Sequence, residues 1–243
     1  MAGLAKTAYS AVKDVVRALC PPLLWQGLRR AKQAVAPATR RFEGHPGHQD
    51  LEVYWDDEMA QLLETWGEGN VWNEIQMLLY DRRGRVLDIA CGTGKTMSVL
   101  ARFPALEVHG FDISDFLIGK ARERGLPPER LRVADATRLD YPDASFDYSY
   151  SIGSFEHFTE DGLVRAIAES ARVTAQAAFH MVPVSRSGAD EGWMKTYQSF
   201  FNNSVEWWTA KYRASFPQVT ALDSGWCDSH SLGRWFVCTK ETR

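Results

Sequence analysis

The chain has 243 residues, of which 45% are hydrophobic and 24% charged, with a net charge of −3. Those values suit a globular protein with a sizeable core and exclude a disordered or collagen-like chain. No run of eighteen apolar residues is present, so a membrane-spanning helix is not expected, and four cysteines without framework or C-x-x-C spacing (Cys20, Cys91, Cys227, Cys238) fit a reducing cytoplasm.

Charge is distributed unevenly. Residues 1–42 hold eight Lys/Arg against one acid, Asp14, a net of +7, and the remainder carries −10. Within that arm, residues 2–19 predict a helix with Leu4, Ala8, Ala11, Val12, Val15, Val16 and Leu19 on one stripe. Pro21-Pro22 stops it. A short helix is expected over Leu23–Ala34 and a linker over Pro37–Gly47, which divides the chain into an arm at 1–47 and a domain at 48–243. A basic amphipathic arm can make peripheral contact with an anionic membrane surface through residues 1–42, here at the inner face. It can equally pack on the body or on a partner, or serve as a transit peptide. The acidic body argues against a nucleic-acid footprint. His45-x-x-His48 lacks a third ligand, so no metal is expected.

Residues 50–80 predict helices rich in aromatics. Tyr54 and Trp72 are the ones expected to reach a ligand, and Trp55 and Trp66 read as packing. The segment Val86-Leu-Asp-Ile-Ala-Cys-Gly-Thr-Gly94 then reads as a buried strand, an acid, and a glycine turn opening a helix over Thr96–Phe103. Gly92 and Gly94 let backbone turn sharply and approach a ligand, and the helix start offers amide donors. A dinucleotide fingerprint is incomplete, because its third glycine is Met97. A P-loop around Gly94-Lys95-Thr96 lacks its leading glycine, which is Ile89. The third reading is S-adenosylmethionine (SAM), since a carboxylate at Asp88 suits an ammonium and repels a pyrophosphate.

Further strands follow in register. Leu106–Asp112 reads as a strand ending in an acid 24 residues after Asp88, Leu131–Asp135 as another ending 23 residues later, and Phe146–Ile152 as a fourth. A carboxylate at the second strand end can accept from both ribose hydroxyls. Taken in this order, the motifs from Arg85 to Phe158 resemble the class I SAM-dependent methyltransferases, with Ala90 where the family usually has Gly. The resemblance implies an α/β, doubly wound Rossmann-like sheet of seven strands with an antiparallel last pair and an N-terminal helical extension. It implies SAM as cofactor, held by Asp88, Ala90, Gly92, Gly94, Asp112, Ile113, Asp135, Ala136 and Ser151, with Asp135 meeting the adenine amino group.

Beyond the fourth strand, a helix is expected over Glu160–Val173, a strand over Ala177–Val184, and a long aromatic connection over 185–203 that can form a lid. Asn202 and Asn203 are expected to bond acceptor hydroxyls. A helix over Val205–Phe216 capped by Asn203 or Ser204, and strands over Val219–Trp226 and Arg234–Thr239, complete the domain. The crevice beyond strands one and four should hold the chemistry. There His157 is the expected base, Glu156 an alternative base or orienter, and His180 a second candidate. A Pro-Pro-aromatic turn, which amino-methylating nucleic-acid enzymes carry, is replaced by Ser151-Ile-Gly-Ser154. The expectation is methyl transfer to a small-molecule or glycan-like acceptor, at oxygen. The alternative is a non-catalytic SAM-binding scaffold.

Overall fold

The computed structural model describes residues 49–240. The expected arm at 1–47, its helices and its membrane contact lie outside the described residues.

A 3-10 turn at Leu51–Trp55 leads into α1 (Asp57–Leu62) and α2 (Val71–Leu78). Two strand–helix units and a third strand follow: β1 (Gly84–Ile89), α3 (Lys95–Leu100), β2 (Leu106–Asp112), α4 (Asp115–Glu123) and β3 (Leu131–Val133). Then come β4 (Phe146–Ile152), α5 (Glu160–Val173) and β5 (Thr174–Ser185). A hairpin of β6 (Trp193–Lys195) and β7 (Ser199–Phe201) precedes α6 (Val205–Arg213), β8 (Gln218–Cys227) and β9 (Ser231–Thr239).

The main sheet has seven strands in the order β3-β2-β1-β4-β5-β9-β8. β1 through β5 run parallel, and β9 is antiparallel to both β5 and β8. The chain works outward from β1 to β3 and then returns to β4 on the other side of β1. That reversal opens a crevice at the carboxyl ends of β1 and β4.

Alternation along each strand divides the core into two layers. Leu87 and Ile89 of β1 pack with Phe155, Ile167, Trp208 and Tyr212 on one face. Val86 packs with Tyr148, Tyr150, Ile75 and Trp235 on the other. Helices start where side-chain caps satisfy their free amides: Ser114 accepts from Leu117 N, Thr159 from Gly162 N and Ser204 from Trp207 N.

Glu74 of α2 binds the sheet edge. Its carboxylate accepts from Trp235 Nε1 at 2.6 Å, Ser224 Oγ at 2.7 Å and Gly225 N at 2.6 Å. Trp235 is buried, so a lost acceptor leaves its indole N–H without water. Glu74→Ala is expected to cost about 2–4 kcal/mol, read as a lower urea midpoint. An unchanged midpoint would mean that solvent replaces all three bonds.

The connection at 185–203 departs from expectation. It contains the β6–β7 hairpin, whose Phe200 and Phe201 are buried and whose Trp193 packs against the core. Asn202 and Asn203 are buried and committed internally. The Asn202 amide donates to Glu191 Oε2 at 2.9 Å, and Asn203 Oδ1 accepts from Gly192 N at 2.7 Å. Two buried aromatics and the partly buried Trp193 outweigh the entropy of ordering so long a connection.

Candidate active site

The turn after β1 is built on left-handed backbone. Ala90, Gly92 and Gly94 all have positive φ, at 59°, 53° and 70°. At Ala90 this conformation carries a strain that glycine escapes, about 1–2 kcal/mol. At Gly92 a Cβ would also stand 2.9 Å from Leu63 Cδ1. The main chain is therefore bare where it meets the crevice. Gly94 serves packing instead: a Cβ there would meet Leu126 Cδ1 at 2.3 Å.

Asp112, at the end of β2, organises this turn. One carboxylate oxygen accepts from Gly92 N at 2.9 Å and the other from Ser114 N at 2.9 Å. Burial raises its pKa, and the backbone amides of Ser114, Gly92 and Ile113 pull against that. Asp88, at the end of β1, is also buried and accepts from Tyr150 OH at 2.7 Å. Burial pushes its carboxyl well above the usual range. Asp135 follows β3 rather than ending it, is exposed, and accepts from Thr137 N at 2.8 Å.

These groups open on one cavity of about 230 Å³. Of the expected cofactor residues, Asp88, Ala90, Gly92, Asp112, Ile113, Asp135 and Ala136 line it. Gly94 and Ser151 do not. Ser151 is fully buried with its Oγ 2.8 Å from His180 Nδ1, and His180 Nε2 lies 3.1 Å from Ser170 Oγ. That arrangement sets both Ser151 and His180 apart from the cavity. Burial takes the His180 pKa down to about 3, so this imidazole stays neutral.

The facing wall is aromatic. Tyr54 and Trp72 line the cavity, as expected, and Trp66 and Phe158 join them. Tyr54 is held by its backbone: Ser114 Oγ donates to Tyr54 O at 2.6 Å, and Trp55 Nε1 donates to Asp115 at 2.7 Å. The same segment is tied to the hairpin, because Asp50 accepts from Lys195 Nζ at 2.8 Å and Ser199 N at 2.7 Å. Trp66 closes over Gly153, where a Cβ would meet its ring at 3.1 Å. Sequence reasoning did not find Trp66, Phe158 or Arg165. Only the Thr159-x-x-Gly162 cap hints that α5 begins at the cavity.

Glu156 and His157 sit in a 3-10 turn, Phe155–His157, just after β4. Neither lines the cavity, but Gly153 and Ser154 do. Glu156 Oε1 lies 3.5 Å from the point a Cβ on Gly153 would occupy and 3.7 Å from His157 Nε2. Its Oε2 is buried without a hydrogen-bond partner, and burial pushes its pKa up to about 8. His157 Nδ1 stands 2.8 Å from Ser199 O, which assigns the proton to Nδ1 and leaves Nε2 toward Glu156. Burial lowers its pKa.

The donor set fits SAM. Two buried carboxyl groups supply acceptors to an ammonium and to hydroxyls, whereas a pyrophosphate brings no donor for them. Glycine at 92 leaves room for close approach.

A family model described as a methyltransferase domain matches residues 86–177. A 27-O-demethylrifamycin SV methyltransferase from Amycolatopsis mediterranei is 34% identical over 49% of this chain and 45% of its own length. A probable tRNA methyltransferase 9B from Mus musculus is 35% identical over 48% of this chain and 26% of its own. The chain thus spans less than half the length of these two relatives. Among solved structures, Haemonchus contortus phosphoethanolamine N-methyltransferase 2, in complex with phosphomonomethylethanolamine and S-adenosylhomocysteine, aligns with a TM-score of 0.61. It shares 15% identity over 79% of this chain and 59% of that one, a likeness of fold. The bare turn, the strand-end carboxylates, the seven-stranded order and the domain match agree: residues 86–177 carry a SAM-dependent methyltransferase domain, with SAM as its cofactor.

Proposed function

We propose that the chain transfers the methyl group of SAM to an oxygen of a small-molecule or glycan-like acceptor. The observation that carries this reading is one cavity with two unlike walls: buried carboxylates and a bare turn face Tyr54, Trp66 and Trp72. When bound, SAM supplies an electrophilic methyl group on a sulfonium. The protein's task is then positioning, which can remove roughly 7–11 kcal/mol of barrier.

Asp112 accepts from ribose hydroxyls, and its bonds to the Gly92 and Ser114 amides hold it ready to do so. Asp88 meets the ammonium end, with Ala90 and Gly92 beside it. Ile113, Asp135 and Ala136 frame the adenine. Gly94 and Ser151 support the site through the turn and through β4. Aromatic faces suit the C–H faces of sugars and apolar acceptors. Glu156, once ionised, takes the acceptor's hydroxyl proton as its oxygen gains the methyl group, with His157 packed behind it. The test is release of S-adenosylhomocysteine with methyl-labelled SAM and a panel of sugars, phenols and amines. Hydroxyl acceptors should carry the label, and label on nitrogen alone overturns the oxygen reading.

The acidic body and the Ser151-Ile-Gly-Ser154 turn support a small molecule over nucleic acid. Among the described residues no helix is long and apolar enough to cross a membrane. Contact of residues 1–42 with an anionic surface is part of the proposal and rests on their +7 charge. Co-sedimentation with anionic liposomes should weaken when those residues are removed, and equal binding by both forms counts against it.

A further inference from the structure

Asp88 and Tyr150 are register partners across the parallel β1–β4 pair. Their side chains share a face, and the Tyr150 hydroxyl donates to Asp88 Oδ2 at 2.7 Å. Tyr150 is fully buried and Asp88 is 4% exposed. Asp88 Oδ1 has no protein donor among the described residues, and Asp88 lines the cavity.

The groups around this carboxyl are Tyr150 from β4, Asp112 from β2 and the Cys91 thiol from the turn. None is a cation. Lys95, which lines the same cavity, lies 3.8 Å from Glu64. Arg165, the other lining cation, is exposed on α5. Two carboxylates in one desolvated site do not both ionise readily. Asp112 has backbone amides on both oxygens, which favours its charged form. Asp88 has one neutral donor and a like charge beside it, so in the empty cleft it is the carboxyl that keeps a proton. Burial raises its pKa further.

We propose that Tyr150 and Asp88 form a proton-releasing receptor for the cofactor's ammonium end, with Tyr150 a positioning residue that fixes one carboxylate oxygen and turns the other to the cavity. This rests on the cofactor assignment of the cleft. The balance is simple: the cation enters, the Asp88 proton leaves to solvent, and an ion pair replaces a neutral acid. Affinity therefore rises with pH until Asp88 is ionised in the empty protein. The Tyr150 hydroxyl stabilises the carboxylate, so its removal makes that ionisation harder.

The test is isothermal titration of the full chain with S-adenosylhomocysteine, in two buffers of different ionisation enthalpy, between pH 6 and 9. Wild type should release protons on binding at pH 7. 5′-Methylthioadenosine, which lacks the ammonium end, should bind without release. Tyr150→Phe should weaken S-adenosylhomocysteine about tenfold at pH 7, with the gap closing toward pH 9. Asp88→Asn should abolish the release. A Tyr150→Phe deficit that stays constant with pH means packing alone and overturns the inference, as does binding without proton release by wild type. If neither nucleoside binds wild type, the cofactor assignment itself falls.

Discussion

Asp112→Ala is expected to raise the dissociation constant of S-adenosylhomocysteine by about two to four orders of magnitude. A hydrogen bond to a charged acceptor contributes about 1.5–3 kcal/mol, and the ribose assignment gives this carboxylate two. Each 1.4 kcal/mol is about tenfold in affinity. A second loss is internal. Without Asp112, Gly92 N and Ser114 N lose their acceptor, so the bare turn is no longer pinned to the end of β2. Asp112→Asn separates the two contributions, since one side-chain oxygen remains to accept. It should bind between wild type and the alanine variant. Calorimetry on both, with circular dichroism as a check on folding, decides the matter. Alanine at wild-type affinity would place the nucleoside elsewhere.

The sequence made the β3-β2-β1 side of the sheet legible because each strand there has an acid at or within two residues of its end. β2 and β4 have the expected boundaries, Leu106–Asp112 and Phe146–Ile152. β3 ends at Val133, two residues before the expected Asp135, which instead forms a bridge with Arg138. The direction of side chains was harder to read. Ser151 was expected at the cavity, yet it bonds His180 inside the core. Strict alternation fails in β4, whose register shifts between Phe146 and Tyr148, and a shift of one residue reverses every face. The same alternation hid Tyr150, whose hydroxyl reaches Asp88 only once β1 and β4 are known to be neighbours. The aromatics of 185–203 were read as a lid over ligand, but none of those residues lines the cavity. Composition reveals that Phe200 and Phe201 must be covered, and the fold decides by what. Ala90 is the converse: its left-handed backbone explains why glycine is usual there.

Glu156→Gln is expected to lower turnover by about 10²–10⁴, the range of a lost general base, and to remove a pH dependence from stability as well. Wild-type turnover should rise with pH to a plateau with a midpoint near 8, because the carboxyl that burial pushes up to about 8 takes a proton only when ionised. His157 does not produce that rise, since burial lowers its pKa and it is already neutral at pH 7. The sign for folding is opposite. The folded-state pKa of Glu156 stands above its ordinary value of 4.5, so the folded protein binds this proton more tightly than the unfolded chain. Its contribution is complete below about 4.5 and is lost as pH rises through about 8, at up to about 1.4 kcal/mol per pH unit. Glutamine cannot ionise, so the variant should unfold at a higher urea concentration than wild type at pH 9, with the advantage disappearing toward pH 5. His157→Ala, which removes only the group behind the carboxylate, should slow turnover less. A Glu156→Gln enzyme that retains the alkaline rise would take the proton transfer away from this residue. An alkaline stability loss equal to that of wild type would show that Glu156 is not the buried acid that ionises.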